Sequence, residues 1–198
     1  MVTLLMDTSL LVSKFLEIQN FSKSDLQKLI PYFEQKTVKK NELIFQAGEV
    51  VQNTFFVNKG ILRQYYVTSE SKERTVYFAE EGKFAGDVMS FLFQIPSEFY
   101  FQALEDSVIL YLNRKYWEDA FTTIPALAIH QLKLHAQLIF DLKKEIAIAG
   151  KETPDKKYER LLKENPALFQ RIPLFHIATY LGITPETLSR IRKRNMHQ

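Results

Sequence analysis

The stretch Leu174–Arg194 reads LFHIATYLGITPETLSRIRKR, and it decides how the rest of the chain is interpreted. Its features describe a helix, a tight turn and a second helix in register. Ala178 is small where two helices must cross closely. Gly182 follows four residues later, where the chain has to turn with positive φ, the conformation glycine tolerates best. Thr184 fits an N-cap, and Pro185 fits the first helical position, where a missing N–H is no loss. Leu188 and Ile191, three apart, share one buried face. Ile177, Leu181 and Ile183 complete a small core. Glu186, Ser189, Arg190 and Lys193 fall on the opposite face. This is the pattern of a helix-turn-helix whose second helix enters the major groove of DNA.

The charge distribution agrees. The net charge of the 198-residue chain is +3. Residues 151–198 hold ten Lys and Arg against five Asp and Glu, whereas residues 1–150 hold 16 against 18. A basic C-terminal quarter on a near-neutral body is the electrostatic footprint of a DNA-binding module. A hydrophobic share of 46% is enough for a proper core. The chain contains no cysteine, which excludes disulfides, thiolate-bound metals, cysteine nucleophiles and a cysteine-ligated iron–sulfur cluster within it. No apolar run reaches transmembrane length and no signal-peptide pattern opens the chain, so a soluble, cytoplasmic protein without membrane contact is expected. No Gly-x-Ser-x-Gly elbow, phosphate-cradling glycine loop or His-Glu-x-x-His pair is present, so no enzyme is expected.

Outward from the C-terminal module, residues 150–157 (GKETPDKK) read as a polar hinge, and Tyr158–Glu164 as a short helix stopped before Pro166. Residues 114–150 read as helical, with little to interrupt them after Pro125. Two apolar stripes run along this helix: Ala128, Leu132, Ala136, Ile139 and Ile146, and Leu127, Leu134, Leu138, Leu142 and Ala149. They lie on roughly opposite sides, so one can pack on the preceding domain while the other calls for a second copy of the chain. His130 and His135 do not share a face and are read as ordinary polar positions, not metal ligands.

Residues 34–113 hold short β-rich runs (ELIFQAGE, NTFFVNKG, ILRQYYVT, RTVYFAEEG, FYFQALEDS, VILYLN) separated by turn residues, which predicts a barrel or jelly roll. Its aromatic residues are expected mainly in the core. Residues 8–33 read as short helices, one capped by Ser22 or Ser24 and carrying Leu26, Leu29 and Ile30 at helical spacing.

A β-roll, a long helix, a hinge and a helix-turn-helix in this order resemble the Crp/Fnr family of bacterial transcription regulators. The most specific pieces are Gly182–Lys193 (GITPETLSRIRK) and Glu81–Leu92 (EGKFAGDVMSFL), and the style is most similar to members common in Bacteroidetes-type bacteria. The resemblance implies an α+β fold: an N-terminal cyclic-nucleotide-binding-like, cupin-like jelly roll (residues 1–123), a long dimerisation helix (124–150) and a DNA-binding domain (151–198). The chain stops eight residues after Arg190, so the wing that usually follows is expected to be reduced or absent. The implied partners are double-stranded DNA, a second copy of the chain, RNA polymerase and a small-molecule effector.

By that resemblance Arg190 would donate two hydrogen bonds to guanine, Glu186 would accept from a cytosine amino group, and Ser189 would contact a base or phosphate. Thr184, Thr187, Arg192 and Lys193 would contact phosphates.

The ligand side departs from the family. Cyclic-AMP-binding members carry Gly-Glu and, about ten residues later, an Arg that neutralises the cyclic phosphate. Here Gly86 and Asp87 match the first pair approximately, and Ser97 and Glu98 stand at the second. The candidate pocket is thus Phe84, Gly86, Asp87, Val88, Ser97 and Glu98. It has no phosphate arginine unless Arg74 or Lys83 substitutes, so no cofactor is expected and cyclic AMP is disfavoured. The barrel stretch has no histidine to hold haem. What remains is an unidentified small ligand, or a pocket filled by side chains. The competing reading, a ligand-binding module acting through a protein partner, is disfavoured by the basic face of the last helix.

Overall fold

The computed structural model describes residues 6–17, 21–149 and 152–195. Two N-terminal helices, α1 (Ser9–Leu16) and α2 (Lys23–Leu29), precede eight strands. The cap of α2 is Ser22: its hydroxyl accepts from the Asp25 amide while the Asp25 carboxylate accepts from the Ser22 amide. The strands are β1 (Phe33–Val38), β2 (Leu43–Phe45), β3 (Asn53–Lys59), β4 (Leu62–Val67), β5 (Glu73–Ala79), β6 (Phe84–Ala85), β7 (Tyr100–Ala103) and β8 (Ser107–Asn113). They form two four-stranded sheets, ordered β1-β8-β3-β6 and β2-β7-β4-β5. This is the predicted jelly roll. Antiparallel register sets Phe33 opposite Leu112 and Phe56 opposite Leu110.

Alternation along these strands divides their side chains between two faces. Phe33, Phe56, Leu110 and Leu112 face the helices and join Leu11, Phe15, Leu26 and Leu29 in a continuous core. Phe55, on the opposite face of β3, lies against Phe45 and Phe101 from the other sheet. Strand β1 was not predicted. Its four central residues, Glu34–Thr37, are all polar and exposed, so it shows no apolar alternation. A further helix, α3 (Val88–Phe93), interrupts the β-rich region.

Helix α4 (Trp117–Thr123) leads to the long helix α5 (Ala126–Ala149), then α6 (Pro154–Glu164), α7 (Pro166–Arg171), α8 (Leu174–Leu181) and α9 (Pro185–Asn195). The expected hinge is shorter than the sequence suggested. Thr153 accepts from the Lys156 amide and Pro154 takes the first helical position, so α6 begins four residues before Tyr158. Gly150 and Lys151 lie outside the described residues. Pro166, read as a stop, also starts α7.

The chain divides into two compact units. One comprises residues up to Gln64 with Phe78–Gln137; the other comprises Tyr65–Tyr77 with the residues from Leu138 onward. The long helix contributes to both units, and Tyr65–Tyr77, the outer part of the β4–β5 hairpin, groups with the residues from Leu138 onward. In that second unit Thr75 and Thr179 share a buried hydrogen bond of 2.8 Å between hydroxyls.

One expectation about α5 is corrected. His130 is not an ordinary polar position: it is 1% exposed, its ring stacked on Phe15 with centroids 4.3 Å apart. Leu127 is buried beside it, whereas Leu132, Leu138, Ile139, Phe140, Leu142 and Ile146 are all exposed on the single chain.

Candidate DNA-reading surface and effector cassette

Helices α8 and α9 are positioned by a small apolar core. Ile177, Ala178, Leu188 and Ile191 are essentially inaccessible, and Leu181 nearly so. Gly182 adopts φ +74°, and the Ile183 amide returns to the Ala178 carbonyl at 3.0 Å, closing the end of α8. The Thr184 hydroxyl accepts from the Thr187 amide at 3.3 Å, the cap expected from sequence.

The opposite face of α9 is open. Thr184, Glu186, Ser189, Arg190 and Lys193 are exposed and Thr187 is partly exposed. Thr187, Arg190, Lys193 and Arg194 line one surface depression. Arg192 differs, being half-buried beside the apolar stripe. Arg194 is engaged by the Asp155 carboxylate of α6. The Glu186 carboxyl is held below its usual range by its own backbone amide, then by the Thr184 hydroxyl and the Arg190 charge, so it is ionised and able to accept.

Within the cassette at 84–98 the polar side chains bond to one another and to the backbone. Asp87 is the N-cap of α3: one carboxylate oxygen accepts from the amides of Met89 and Ser90, at 3.0 and 3.1 Å. Its other oxygen accepts from the Ser97 hydroxyl at 2.7 Å. Ser97 is buried, and its hydroxyl also takes the Phe99 amide at 3.0 Å. Gly86 lies beside the Phe55 ring and the Asn53 carbonyl. Phe84 turns toward the helices, packing on Phe56 and Phe15. Val88 and Glu98 are exposed. The structure therefore brings Asp87 and Ser97 together, while Phe84 serves the core.

Between the sheets, Phe45, Phe55 and Phe101 form an aromatic cluster with centroid separations of 5.4 to 6.3 Å, each ring nearly or fully buried. Of the two candidate replacement cations, Lys83 is exposed and Arg74 lies against Gly182. Ten residues separate Asp87 from Ser97, so sequence gave the pairing of their positions but not the hydrogen bond that joins them. Helix α3 would have been recognisable from Asp87 as a cap followed by an apolar turn.

A β-roll followed in the chain by a helix-turn-helix is an arrangement that comparison with known proteins finds elsewhere. Residues 35–123 match the family described as cyclic nucleotide-binding domain. The chain is similar to electron transport regulator A of Shewanella oneidensis, 24% identical over 185 residues, covering 86% of this chain and 72% of that protein. It is also similar to the fumarate and nitrate reduction regulatory protein of Vibrio cholerae, 24% identical, covering 87% of this chain and 73% of the relative. In fold it resembles the c-di-GMP responsive global regulator CLP of Xanthomonas campestris, with a TM-score of 0.72 at 12% identity over 89% of this chain and 92% of that one. Residues 35–123 thus match a cyclic nucleotide-binding domain, and the chain as a whole is similar to regulators of the Crp/Fnr type.

Proposed function

We propose that this protein is a dimeric, sequence-specific DNA-binding regulator of transcription. The observation that carries the reading is the α9 face: a buried Leu188–Ile191 stripe on one side and exposed Glu186, Ser189, Arg190 and Lys193 on the other. Arg190 reads guanine by two hydrogen bonds, and Glu186 accepts from a cytosine amino group. Lys193 and Arg192 supply phosphate contacts. The exposed apolar residues of α5 support a second copy as the partner, because unpartnered apolar faces of this extent mark interaction surfaces. Two copies present two reading helices to half-sites about one DNA turn, ~34 Å, apart. RNA polymerase is the partner through which such a protein acts on transcription.

Selection of binding sites from a random DNA pool tests the reading. The wild-type protein is expected to recover a pseudo-palindrome, and Arg190→Ala to lose it, with a loss of about 1–3 kcal/mol per half-site. Enrichment that survives Arg190→Ala, or none at all even in the presence of cell extract, sinks the assignment.

Cyclic AMP is disfavoured as the effector held by the 84–98 cassette. Both Asp87 oxygens already accept hydrogen bonds within the chain, so a ribose hydroxyl would compete with contacts worth about 1 kcal/mol each. Ser97 and Glu98 supply no cation for the phosphate. Calorimetry is expected to show no micromolar binding of cyclic AMP, and a micromolar isotherm would overturn this. The aromatic cluster supports a roll interior filled by its own side chains; an effector, if one is used, is then a small molecule recognised elsewhere.

A further inference from the structure

On the exposed side of α9 three side chains form a chain of hydrogen bonds. Arg190 Nη2 donates to Thr187 Oγ1 at 3.2 Å. The Thr187 and Thr184 hydroxyl oxygens are themselves 3.2 Å apart. Thr184 Oγ1 also accepts the Thr187 amide at 3.3 Å. A guanidinium only donates, so Thr187 accepts from Arg190, while either threonine hydroxyl can donate to the other. With Thr187 as that donor, the Thr184 proton is left for the Glu186 carboxylate, whose ionisation the Thr184 hydroxyl favours. Residues 187 and 190, three apart, lie one above the other on the helix face, which is what lets the arginine fold back over the threonine.

Resting on the DNA-binding reading, we propose that Thr187 is a specificity-determining positioning residue. Through the Thr184–Thr187 hydroxyl pair it holds Arg190 for guanine and ties it to Glu186, so that the two base readers act as one unit. This replaces the phosphate contact that sequence assigned to Thr187. Arginine has five donor protons, and Thr187 takes one, leaving a pair for the two acceptors on the guanine edge. An arginine held before contact has less rotamer freedom to lose on binding. The chain also links the fates of the two readers. A base change that draws Arg190 away from Thr187 breaks the chain that joins them.

The test uses the full-length protein and the site it selects, with each half-site guanine replaced by adenine or by 7-deazaguanine, and each cytosine replaced singly. Thr187→Val keeps the side-chain shape and removes the hydroxyl; Thr187→Ser restores it. Wild type is expected to favour guanine by about tenfold or more per half-site. In Thr187→Val the preference is expected to fall to about threefold, with non-specific DNA bound as before, and Thr187→Ser to recover most of it. Guanine and cytosine replacements are expected to be non-additive in wild type and additive in Thr187→Val. An equal loss on every sequence would make Thr187 a phosphate contact and overturn the proposal, as would undiminished discrimination. A wild-type protein that selects no site at all would instead remove the regulator reading on which the proposal rests.

Discussion

Gly60→Ala is expected to lower the stability of the β-roll by about 4 kcal/mol, a large share of what a domain of this size possesses. Two causes add. The residue adopts φ +101°, where an L side chain is strained by about 1–3 kcal/mol. A Cβ would also stand 2.1 Å from Ser107 Oγ, 2.7 Å from its Cβ and 2.9 Å from its Cα, an overlap costing about 1–3 kcal/mol more. The last distance involves backbone, which side-chain rotation cannot relieve. The turn between β3 and β4 thus lies directly against β8, and the Gly60 amide donates to Glu81 Oε1 at 2.7 Å, tying it to the turn that leads into β6. Gly48→Ala is the control. Gly48 has φ +91° but nothing within 4 Å of a built Cβ, so it isolates the strain term. Urea unfolding should separate the two variants by about 2 kcal/mol. Adding Ser107→Gly to Gly60→Ala should return roughly half of the overlap term. Equal stability of the Gly60→Ala and Gly48→Ala proteins would show that the turn is not packed as described.

Ser107 and Gly60 also illustrate what the sequence could convey. Gly60 was legible as a turn residue because glycine after Asn58 and Lys59 breaks a β-rich run. That Ser107 fills the space a side chain would need is a long-range fact with no local signature. The same division runs through the rest of the fold. Helices α8 and α9 were legible, since cap, proline, glycine turn and apolar spacing are all local and agree with one another. Strands β3, β4, β5, β7 and β8 were legible from apolar content. Strand β1 was not, because Glu34–Thr37 are polar and the strand is specified by its partner β8. For the candidate site, the outward residues of α9 were identified correctly as a face. Their mutual hydrogen bonds were not, because spacing places Thr187 under Arg190 without showing which way a long side chain folds. Asp87 was read as a ligand residue by its place in a family pattern. The structure shows an N-cap, a role that Asp followed by an apolar turn carries in its own right.

His130 was the largest misreading, and it makes the stability of the protein depend on acid. The residue type reads as polar although its spacing puts it on the Leu127–Leu134 stripe, and its ring is covered by Phe15, Phe21 and Phe84. Its Nδ1 has no hydrogen-bond partner. Burial alone depresses its pKa from 6.5 to about 4, since desolvation penalises the charged form. The sign follows from proton binding. Between about pH 6.5 and 4 the unfolded chain takes a proton that the folded protein refuses, so the neutral histidine's contribution is complete above pH 6.5 and is lost as pH falls through that window. From pH 7 to 4.5 the loss amounts to about 2.5 kcal/mol. His130→Leu removes the titrating group and the unpaired nitrogen while keeping an apolar side chain of similar bulk. It should be as stable as wild type at pH 7 to within about 1 kcal/mol, and more stable than wild type by about 2 kcal/mol at pH 4.5. Urea unfolding of both proteins at the two pH values measures the difference, in which surface carboxylates such as Asp25 and Asp106 cancel. Parallel pH dependence in the two proteins would refute the burial of a neutral imidazole. The position gives the effect a functional direction. His130 lies on the buried side of α5 and meets Phe84, the first residue of the effector cassette, with ring centroids 5.7 Å apart. Protonation of the folded protein sets in only near pH 4 and then strains the packing between the cassette strand and the helix proposed to pair two copies, so DNA binding by wild type should weaken as pH approaches 4 and that of His130→Leu should weaken less.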